Sequence, residues 1–537
     1  LFEKMQNLNV YPDKVIFLGL IKACASICAI EKGRELHHHI VSFGLDVDAV
    51  VSNSLLDMYA KCGNLDEAHR VFENLSTCST VSWGALIGGY VQHGYASFAI
   101  ELFETMQESS VRPDKITYLC IIRACSYLGT IEKGRCIHEN IMNSEFNSDI
   151  VVLNAIIDMY GKCHCVKEAR EVFNKLPQPN VMSWESLIGG YIVYGDGFSA
   201  LQSFERMLKD GFKPSEIMLS YGLQACAISR AISQGRMIHH EICKHRCVSS
   251  VIGNNLIDMY AKCGIMNESH QVFENLSNRN VISWSALMSG YVQQGHFSVA
   301  LELFQRIRTE SGIIPNATAF SCAMKACGRI EALKKAKMIH EEIVNIGYES
   351  NMIVGSSLVD MYVRCKCLEE ARQVFDNLPN RDLVSWASMV AGYASHGCGI
   401  SALDLYKKMQ YDGMKPDKVT FLCVLKACSS LCLLQQGRVI HDQILKSGLD
   451  YNEVTLNNSI IDMYAKCRQI TDACKVFHGL HEKNIVSWST IISGFVEIGD
   501  NHQSLKMFEE MESKEGASTS NKSTLSCILK VCSCIGA

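Results

Sequence analysis

The chain has 537 residues, of which 48% are hydrophobic and 20% charged, with a formal net charge of −5 and a pI near 6.4. This balance argues against indiscriminate binding to polyanions and leaves room for a local basic stripe. No run approaches the ~20 consecutive apolar residues that a membrane span needs, so we expect no membrane association.

Several residue types recur at a fixed interval of about 101 residues. The five tryptophans lie 101, 100, 102 and 102 residues apart, each in a phrase such as VSWGALIGGY: Trp83, Trp184, Trp284, Trp386 and Trp488. A histidine returns every 101 residues: His37, His138, His239, His340 and His441. A chain folded around one core has no reason to repeat phrases in this way. The period predicts an array of repeats.

In chain order, the pattern gives a partial unit at 1–13, five periods and a partial unit at 522–537. The periods are 14–114, 115–215, 216–316, 317–417 and 418–521. Each period holds three units, with lengths of 35, 31 and 35 residues in the second period: one carries the histidine, the next the phrase DMYxKC or DMYVRC, and the third the tryptophan phrase. The chain begins inside a second helix and stops inside a first helix, so we expect it to be the interior of a longer protein.

Each unit is predicted to form two helices. In 150–180 apolar residues recur at helical spacing on both sides of a short turn. In the sister unit 49–79, Asn64 is expected to cap the second helix, with Asp66 and Glu67 in its first turn. Such a short helix pair cannot bury its apolar face alone. We therefore predict an all-α fold, a right-handed α-solenoid superhelix of tandem helix-turn-helix units with first helices lining the inner groove.

The cysteines and the repeated histidine are interpreted as structural. Most of the 26 cysteines are periodic, and no two lie three residues apart, so a zinc site is not indicated. The phrase HxE occurs at His239 and His340, but the PCxxC segment of a zinc deaminase is missing. We expect no catalytic residue, no metal and no cofactor in this chain. A deaminase beyond residue 537 remains compatible with the sequence.

A polar stripe on the first helix of each DMY unit carries the functional interpretation. Asn154, Asp158 and Lys162 lie four apart on one face. Stacked units would place an amide or hydroxyl for a base edge beside a cation for a phosphate, which suits a single nucleic-acid strand. The expected phosphate contacts are Lys61, Lys162, Lys262, Arg364 and Lys466. The alternative is a solvated polar face without a ligand.

The units resemble pentatricopeptide repeats of the PLS subclass over essentially the whole chain. The tryptophan phrase corresponds to P units, KACS to L units and DMYAKC to S units, so each period is an L–S–P triplet. The resemblance implies a monomeric single-stranded RNA-binding protein of mitochondria or chloroplasts. It would act in RNA modification or processing: site recognition for C-to-U editing foremost, or splicing or stability, with editing or processing proteins in trans.

The resemblance also implies base-selecting residues, the fifth and last of each P and S unit. The S-unit pairs are Asn53 with Ser79, Asn154 with Asn180, Asn254 with Asn280, Ser356 with Asp382, and Asn458 with Asn484. The family pattern gives a pyrimidine for Asn with Ser or Asn, and guanine for Ser with Asp.

In the P units, Ser285 with Asn316 and Ser489 with Asn521 would favour adenine. Three pairs depart from the pattern, so no base is assigned to them: Gly84 with Asp114, Glu185 with Ser215, and Ala387 with Asp417. Apolar second residues would wedge between bases or form the edge of the core: Val50, Val151, Val251, Ile353, Met182, Ile282 and Val384.

A tetratricopeptide-like scaffold that binds peptides is the alternative from another class. It would also be an array of helix pairs, but it predicts a 34-residue period without three phased unit types. The sequence names neither the target transcript nor the organelle.

Overall fold

The computed structural model describes residues 12–75, 77–244, 249–310, 312–448, 453–515 and 529. Within these ranges the chain forms thirty α-helices and no strand. They pair into fifteen helix-turn-helix units, so the predicted all-α fold of tandem helix pairs is confirmed. The chain divides into two compact units, Leu1–Leu276 and Ser277–Ala537, and each is described by itself.

The first compact unit holds eight helix pairs. Its helices are α1 Lys14–Ile27, α2 Ile30–Ser42, α3 Ala49–Lys61, α4 Leu65–Glu73, α5 Thr80–Gln92, α6 Ala96–Glu108, α7 Lys115–Leu128, α8 Ile131–Met142, α9 Ile150–Lys162, α10 Val166–Asn174, α11 Val181–Tyr194, α12 Gly197–Lys209, α13 Glu216–Ser229, α14 Ile232–Lys244, α15 Ser250–Lys262 and α16 Met266–Asn275.

The second compact unit holds seven helix pairs. Its helices are α17 Val281–Gln293, α18 Phe297–Glu310, α19 Ala317–Arg329, α20 Leu333–Ile346, α21 Met352–Arg364, α22 Leu368–Asn377, α23 Leu383–Ser395, α24 Gly399–Tyr411, α25 Lys418–Leu431, α26 Leu434–Lys446, α27 Val454–Lys466, α28 Ile470–Gly479, α29 Ile485–Ile498 and α30 Asn501–Glu515.

Two layers of helices follow from this order in each compact unit. Each first helix packs against the first helices of the neighbouring pairs, which makes one continuous layer. Each second helix packs against its own first helix and the next one. Ion pairs such as Arg34–Glu67 at 3.1 Å join neighbouring second helices. Within each compact unit, the first helices therefore form one layer and the second helices another.

Helix starts are set by the residue that ends each preceding unit. This residue is the N-cap of the next first helix, and in fourteen of the fifteen cases its side chain accepts a hydrogen bond from a first-turn N–H. Each such cap contributes about 1 kcal/mol. The exception is Glu453, whose side chain makes no capping bond.

The prediction for Asn64 is wrong in part. Asn64 stands at the N-cap of α4, with Asp66 and Glu67 in the first turn, but its side chain makes no capping hydrogen bond. Its ψ of 73° departs from the extended backbone of the capping residues, such as Asn180 with ψ 179°. The tight turn between the two helices of a unit imposes this backbone.

The repeated tryptophan closes the core between S and P units. Trp83 in α5 packs edge-on against Phe72 in α4, with ring centroids 4.6 Å apart. Trp184 meets Phe173 at the same distance. Both tryptophans are almost completely buried. The period of the tryptophans is therefore the period of a core contact between neighbouring units.

The repeated histidine joins L to S units, which confirms its structural interpretation. His37 Nδ1 lies 2.9 Å from the Tyr59 hydroxyl, and the other four histidines make the same bond to the tyrosine of DMY at 2.8–3.0 Å. Burial lowers the pKa of all five histidines. Burial also raises the pKa of Tyr59 to about 12. Both partners are therefore neutral at pH 7.

Small residues allow S and P first helices to approach closely. A Cβ added at Gly89 in α5 would lie 2.6 Å from the Cβ of Ala60 in α3. A Cβ added at Gly190 would lie 2.9 Å from the Cα of Gly161. The second glycine of the phrase GGY is therefore required by the distance between the two helices.

Gly89→Ala should destabilise the fold by about 1–3 kcal/mol, because the new methyl group overlaps Ala60 and one helix must move. Chemical denaturation measures the change. Gly88→Ala in the same helix is the matched control, since its Cβ would meet Cys120 Sγ at an ordinary 3.6 Å. That control should be neutral or stabilising through helix propensity. Equal effects of the two substitutions would contradict the close approach.

Stability should fall as pH drops below about 6.5, the ordinary pKa of histidine. The folded-state pKa of His37 is lower than this, so the unfolded chain binds more protons in that range and acid favours unfolding. The denaturation midpoint at pH 7.5 and 5.5 measures the effect. His37→Asn should reduce the pH dependence, whereas His481→Asn, at an exposed position outside the five repeated histidines, should leave it unchanged. A midpoint that does not move with pH would show that these histidines do not control stability.

Candidate nucleic-acid interface

The fifth and last residues of the S units meet at the start of a P-unit helix. Asn154 Nδ2 donates to Asn180 Oδ1 at 3.2 Å, and Asn458 Nδ2 donates to Asn484 Oδ1 at 3.5 Å. The Ser356 hydroxyl lies 2.9 Å from Asp382 Oδ2, and its one hydrogen is shared between this carboxylate and Met352 O. Three predicted pairs, far apart in sequence from one another, therefore have the same local geometry.

The remaining two S-unit pairs are placed differently. Asn53 and Ser79 are joined through Ser82, whose hydroxyl donates to Asn53 Oδ1 at 2.8 Å and lies 2.9 Å from Ser79 Oγ. Asn254 belongs to the first compact unit and Asn280 to the second. Asn280 caps α17, with its Oδ1 accepting from Ser283 N at 3.0 Å.

The N-cap role fixes which atom of the last residue remains for a ligand. Asn180 Oδ1 accepts from Ser183 N at 2.9 Å, from Ser183 Oγ at 3.0 Å and from Asn154 Nδ2. Only an oxygen can accept these bonds, so the amide nitrogen of Asn180 points away from the helix start. Within the described residues, the Oδ1 atoms of Asn154 and Asn458 are buried without a hydrogen-bond partner.

The P-unit pairs also lie at helix starts, with varied contacts. Ser215 Oγ donates to Glu185 Oε1 at 2.7 Å. A Cβ added at Gly84 would lie 3.9 Å from Asp114 Oδ1, so these residues are adjacent. Asp114 Oδ1 is occupied by Thr117 N and Thr117 Oγ1, at 2.8 and 2.7 Å.

In both P units with a serine at the fifth position, that serine donates a hydrogen bond to its own helix. Ser285 Oγ donates to Val281 O at 2.9 Å, and Ser489 Oγ donates to Val486 O at 3.0 Å. Asn316, the last residue of the first of these units, caps α19 by accepting from Ala319 N at 2.9 Å. Asn521 lies outside the described residues.

The Ala387–Asp417 pair lines a cavity of about 890 Å³ in the second compact unit. The cavity runs along α23, where small residues such as Ala391 leave space. Its walls carry four cations and three carboxylates: Arg329, Arg364, Lys366, Lys426, Glu331, Asp360 and Asp417. The sequence interpretation found only Arg364 among these cations, because the other three lie outside the DMY phrase.

The five predicted phosphate contacts all lie at the C-terminal end of an S-unit first helix, partly exposed. Each is already paired with the aspartate of DMY, at distances of 2.7–2.9 Å: Lys61–Asp57, Lys162–Asp158, Lys262–Asp258, Arg364–Asp360 and Lys466–Asp462. The sequence interpretation assigned this aspartate no pairing role. Exposed ion pairs of this kind contribute little to stability, so a phosphate can compete for the cation.

The apolar second residues of the first helices are solvent-facing. They are 48–58% exposed: Val50, Val151, Val251, Ile353, Met182, Ile282 and Val384. About half of each side chain is exposed to solvent. A position at the edge of the core, one of the two interpretations from sequence, therefore explains only the buried half. The exposed half lies on the first helix, three residues before the fifth position.

The described residues contain no group of three or more His, Cys, Asp or Glu side chains that could hold a metal ion. In the same part of the chain, no helix is both long and apolar enough to span a bilayer.

Comparison with known proteins identifies the repeat. The PPR repeat family matches residues 79–126 and 381–430. The PPR repeat matches seven further segments: 50–78, 151–179, 182–212, 282–311, 356–383, 458–485 and 486–515.

Three pentatricopeptide repeat-containing proteins of Arabidopsis thaliana match along most of the chain. One is 34% identical over 511 residues, which cover 94% of this chain and 61% of the relative. A mitochondrial one is 32% identical over 97% of this chain and 68% of the relative. A chloroplastic one is 30% identical over 98% of this chain and 64% of the relative. The chain thus spans roughly two thirds of the length of these relatives.

The fold matches solved structures as well. The crystal structure of the pentatricopeptide repeat protein PPR10 from maize matches with a TM-score of 0.65 and 17% identity, covering 98% of this chain and 82% of that chain. PPR10 in complex with an 18-nt psaJ RNA element matches with a TM-score of 0.61. The repeats, the relatives and the shared architecture agree, and the chain belongs to the pentatricopeptide repeat family.

Proposed function

We propose that the chain binds single-stranded RNA with one nucleotide facing each repeat, and that the fifth and last residues of P and S units select the base. The observation that carries this proposal is the capped pair, in which the N-cap bonds of Asn180 or Asp382 leave one polar atom of known character beside the fifth residue. PPR10, a solved protein of the same fold, forms a complex with an 18-nt psaJ RNA element, and this supports the ligand class.

The Asn–Asn pairs of Asn154 and Asn458 each contain one donor and one buried acceptor that no other described side chain uses. Asn180 Nδ2 is the donor, and the buried Asn154 Oδ1 is the acceptor. Leaving a buried acceptor unpaired costs about 1–3 kcal/mol, which a base donor would recover. Two amide side chains also fill more space than a serine pair, so a single-ring base fits best. These pairs therefore select a pyrimidine.

The Ser356–Asp382 pair has a different polarity. Asp382 Oδ1 accepts from Ser385 N at 2.8 Å, and the carboxylate has no donor to offer. Guanine is the base with two neighbouring donors, N1–H and the N2 amine, on its Watson–Crick edge. The small serine leaves room for its two rings. This pair therefore selects guanine.

A fifth-position serine that donates to its own helix offers a base only its lone pairs. Ser285 and Ser489 are in this state. A lone pair accepts from the exocyclic amine of adenine, and Asn316 supplies an amide donor for the ring nitrogen. We propose adenine for the Ser285–Asn316 unit and for the unit that Ser489 and Asn521 would form.

The half-exposed second residues would lie between neighbouring bases. An apolar side chain loses water when a base stacks against it, and this contact is independent of base identity. The cavity along α23 supplies a place for a base beside Arg364, within the ~300–1,000 Å³ range of ligand pockets.

The subclass, compartment and biological process are part of the same proposal. Second helices of S units have 9 or 10 residues, whereas Ala96–Glu108 in a P unit has 13, and this difference in length supports the assignment to the PLS subclass. Relatives are named mitochondrial or chloroplastic. We propose an organellar protein that selects sites in transcripts, for C-to-U editing foremost, with splicing or stability as further roles and the modifying proteins acting in trans.

Lys162→Ala should weaken binding to all RNA sequences alike, and the slope of log affinity against log salt should fall by about 0.7. Asp158→Asn should strengthen binding, because it frees Lys162 from a 2.7 Å ion pair. Salt titrations by fluorescence anisotropy measure both changes. Lys167→Ala, at an exposed position of the second helix of the same unit, is the matched control and should leave the slope unchanged. A loss confined to one RNA sequence would contradict a phosphate contact.

The double substitution Asn154→Ser with Asn180→Asp should change the preference at one nucleotide from a pyrimidine to guanine. It copies the Ser356–Asp382 pair, and aspartate keeps the N-cap, so the fold is preserved. A base contact worth about 1–3 kcal/mol corresponds to roughly tenfold or more in affinity. Titrations against four RNAs that differ at that nucleotide measure the switch.

The matched control is Asn458→Ser with Asn484→Asp, which should switch a different nucleotide and leave the first unchanged. An equal loss of affinity for all four RNAs, with unchanged stability, would show that these residues do not read the base.

A further inference from the structure

L units are the third unit type. In three of the five L units, neither the fifth nor the last residue has a free polar group among the described contacts. Their fifth residues are leucines: Leu18, Leu119 and Leu422. Their last residues are acids bonded to the lysine that opens the same unit, in the pairs Lys14–Asp48 at 2.6 Å, Lys115–Asp149 at 2.7 Å, and Lys418–Glu453. A leucine offers no hydrogen bond, and the paired carboxylate is neutralised.

The third L unit has serines at both positions, but both are engaged. Ser220 Oγ accepts from Asn255 Nδ2 and from Gln224 Nε2, the latter at 3.3 Å. Ser249 Oγ donates to Glu216 Oε1 and accepts from a backbone N–H of the next helix. Both lone pairs of Ser220 are therefore used, so this unit lacks the free hydroxyl acceptor that Ser285 offers.

The fourth L unit differs from all of these. Its fifth residue is Ser321 and its last is Asn351, and it opens with Ala317, which cannot form an ion pair. Asn351 caps α21, with Oδ1 accepting from Ile353 N at 3.1 Å and Val354 N at 3.3 Å. Its amide nitrogen makes no hydrogen bond within the described residues, so it remains a donor.

A short relay fixes the polarity of Ser321. Its Oγ lies 2.7 Å from Ser357 Oγ, and Ser357 donates to Ile353 O at 2.8 Å. Because the hydroxyl hydrogen of Ser357 is used in that bond, the hydrogen of Ser321 must lie between the two oxygens. Ser321 therefore has only lone pairs to offer, as Ser285 does.

Ser321 and Asn351 also have the spacing and burial of a reading pair. They are separated by thirty residues, as are Glu185 and Ser215, whose side chains are hydrogen-bonded. Ser321 is 5% exposed, equal to Ser356 and close to Ser285 at 4%. An amide donor and a hydroxyl acceptor thus occupy the positions that the P and S units use.

We infer that the fourth L unit is a base-selecting site and that its base is adenine. The inference rests on the proposed RNA binding. Adenine presents the N6 amine beside the ring acceptor N1, which complements the Ser321 acceptor and the Asn351 donor. Guanine, of the same size, presents O6 beside N1–H and would set acceptor against acceptor. Uracil has the same mismatch, and cytosine has the right polarity but only one ring.

The test is a set of binding titrations of the full chain against RNAs that differ at one nucleotide. The variants Ser285→Asn and Ser356→Asn locate this nucleotide, since each should change the base preference at the nucleotide that faces its own unit. The nucleotide between these two faces the fourth L unit. Adenine there should bind about tenfold more tightly than guanine or uracil. The nucleotide facing the second L unit, with Leu119 and Asp149, is the internal control and should show no preference.

The triple substitution Ala317→Lys, Ser321→Leu and Asn351→Asp copies the second L unit. It should abolish discrimination at this nucleotide alone, with the neighbouring nucleotides unchanged and the thermal midpoint preserved. If the triple variant does not fold, Asn351→Asp alone, which keeps the N-cap, should reduce the preference for adenine over guanine.

Equal affinity for all four bases at this nucleotide, while the nucleotide of Ser356 and Asp382 still selects guanine, would overturn the inference and leave the proposed function intact. An absence of base preference at every nucleotide would instead overturn the proposed function.

Discussion

The side chain that ends a repeat accepts hydrogen bonds from the first turn of the helix that begins the next one. This N-cap bond sets where fourteen of the fifteen described first helices start, and it also orients the atom that faces the fifth residue. In Asn180 the cap uses the oxygen and leaves the nitrogen. If these residues select the base as proposed, helix formation and base selection depend on the same hydrogen bond.

The double role restricts which residues can stand at the last position. N-caps are chosen from Ser, Thr, Asp and Asn, because a short side chain must return an oxygen to the N–H groups of the first turn. The same residues differ in the polar group that the N-cap bond leaves free for a ligand. Asn keeps an amide donor, Asp a carboxylate acceptor and Ser a small hydroxyl. Under the proposed function, exchange within this set would change the base preference while the helix start is retained. Exchange to an apolar residue removes both.

The sequence was sufficient for the fold because its signals are periodic and local. The intervals between Trp83 and its counterparts predicted the array, and the residue that lies two before each VSW or similar phrase is the cap that the structure shows. The missing cap bond of Asn64 was not predictable from sequence, since the turn that prevents it depends on backbone angles. The division of the chain at residue 276 has no counterpart in the repeat pattern.

The sequence indicates which residues line the candidate site. It does not indicate which hydrogen-bond donors and acceptors these residues leave free. Asn154 and Asn180, a fifth and a last residue, are hydrogen-bonded to each other, and their role in base selection stays a prediction. The hydrogen of Ser285, however, points to its own helix, and the hydrogen of Ser321 toward Ser357. A hydroxyl is a donor or an acceptor according to its neighbours, so sequence alone cannot assign the role.

The pairing of the five cations of the DMYxKC and DMYVRC phrases with an aspartate bears on how selectivity would arise. A groove of unpaired lysines would bind any polyanion, because counterion release does not depend on base sequence. Here each cation lies within 3 Å of a carboxylate, and the whole chain carries a charge of −5. The phosphate must therefore compete for each cation, and the electrostatic contribution common to all RNAs is small. Under the proposed function, base contacts at the capped pairs would then decide which strand remains bound.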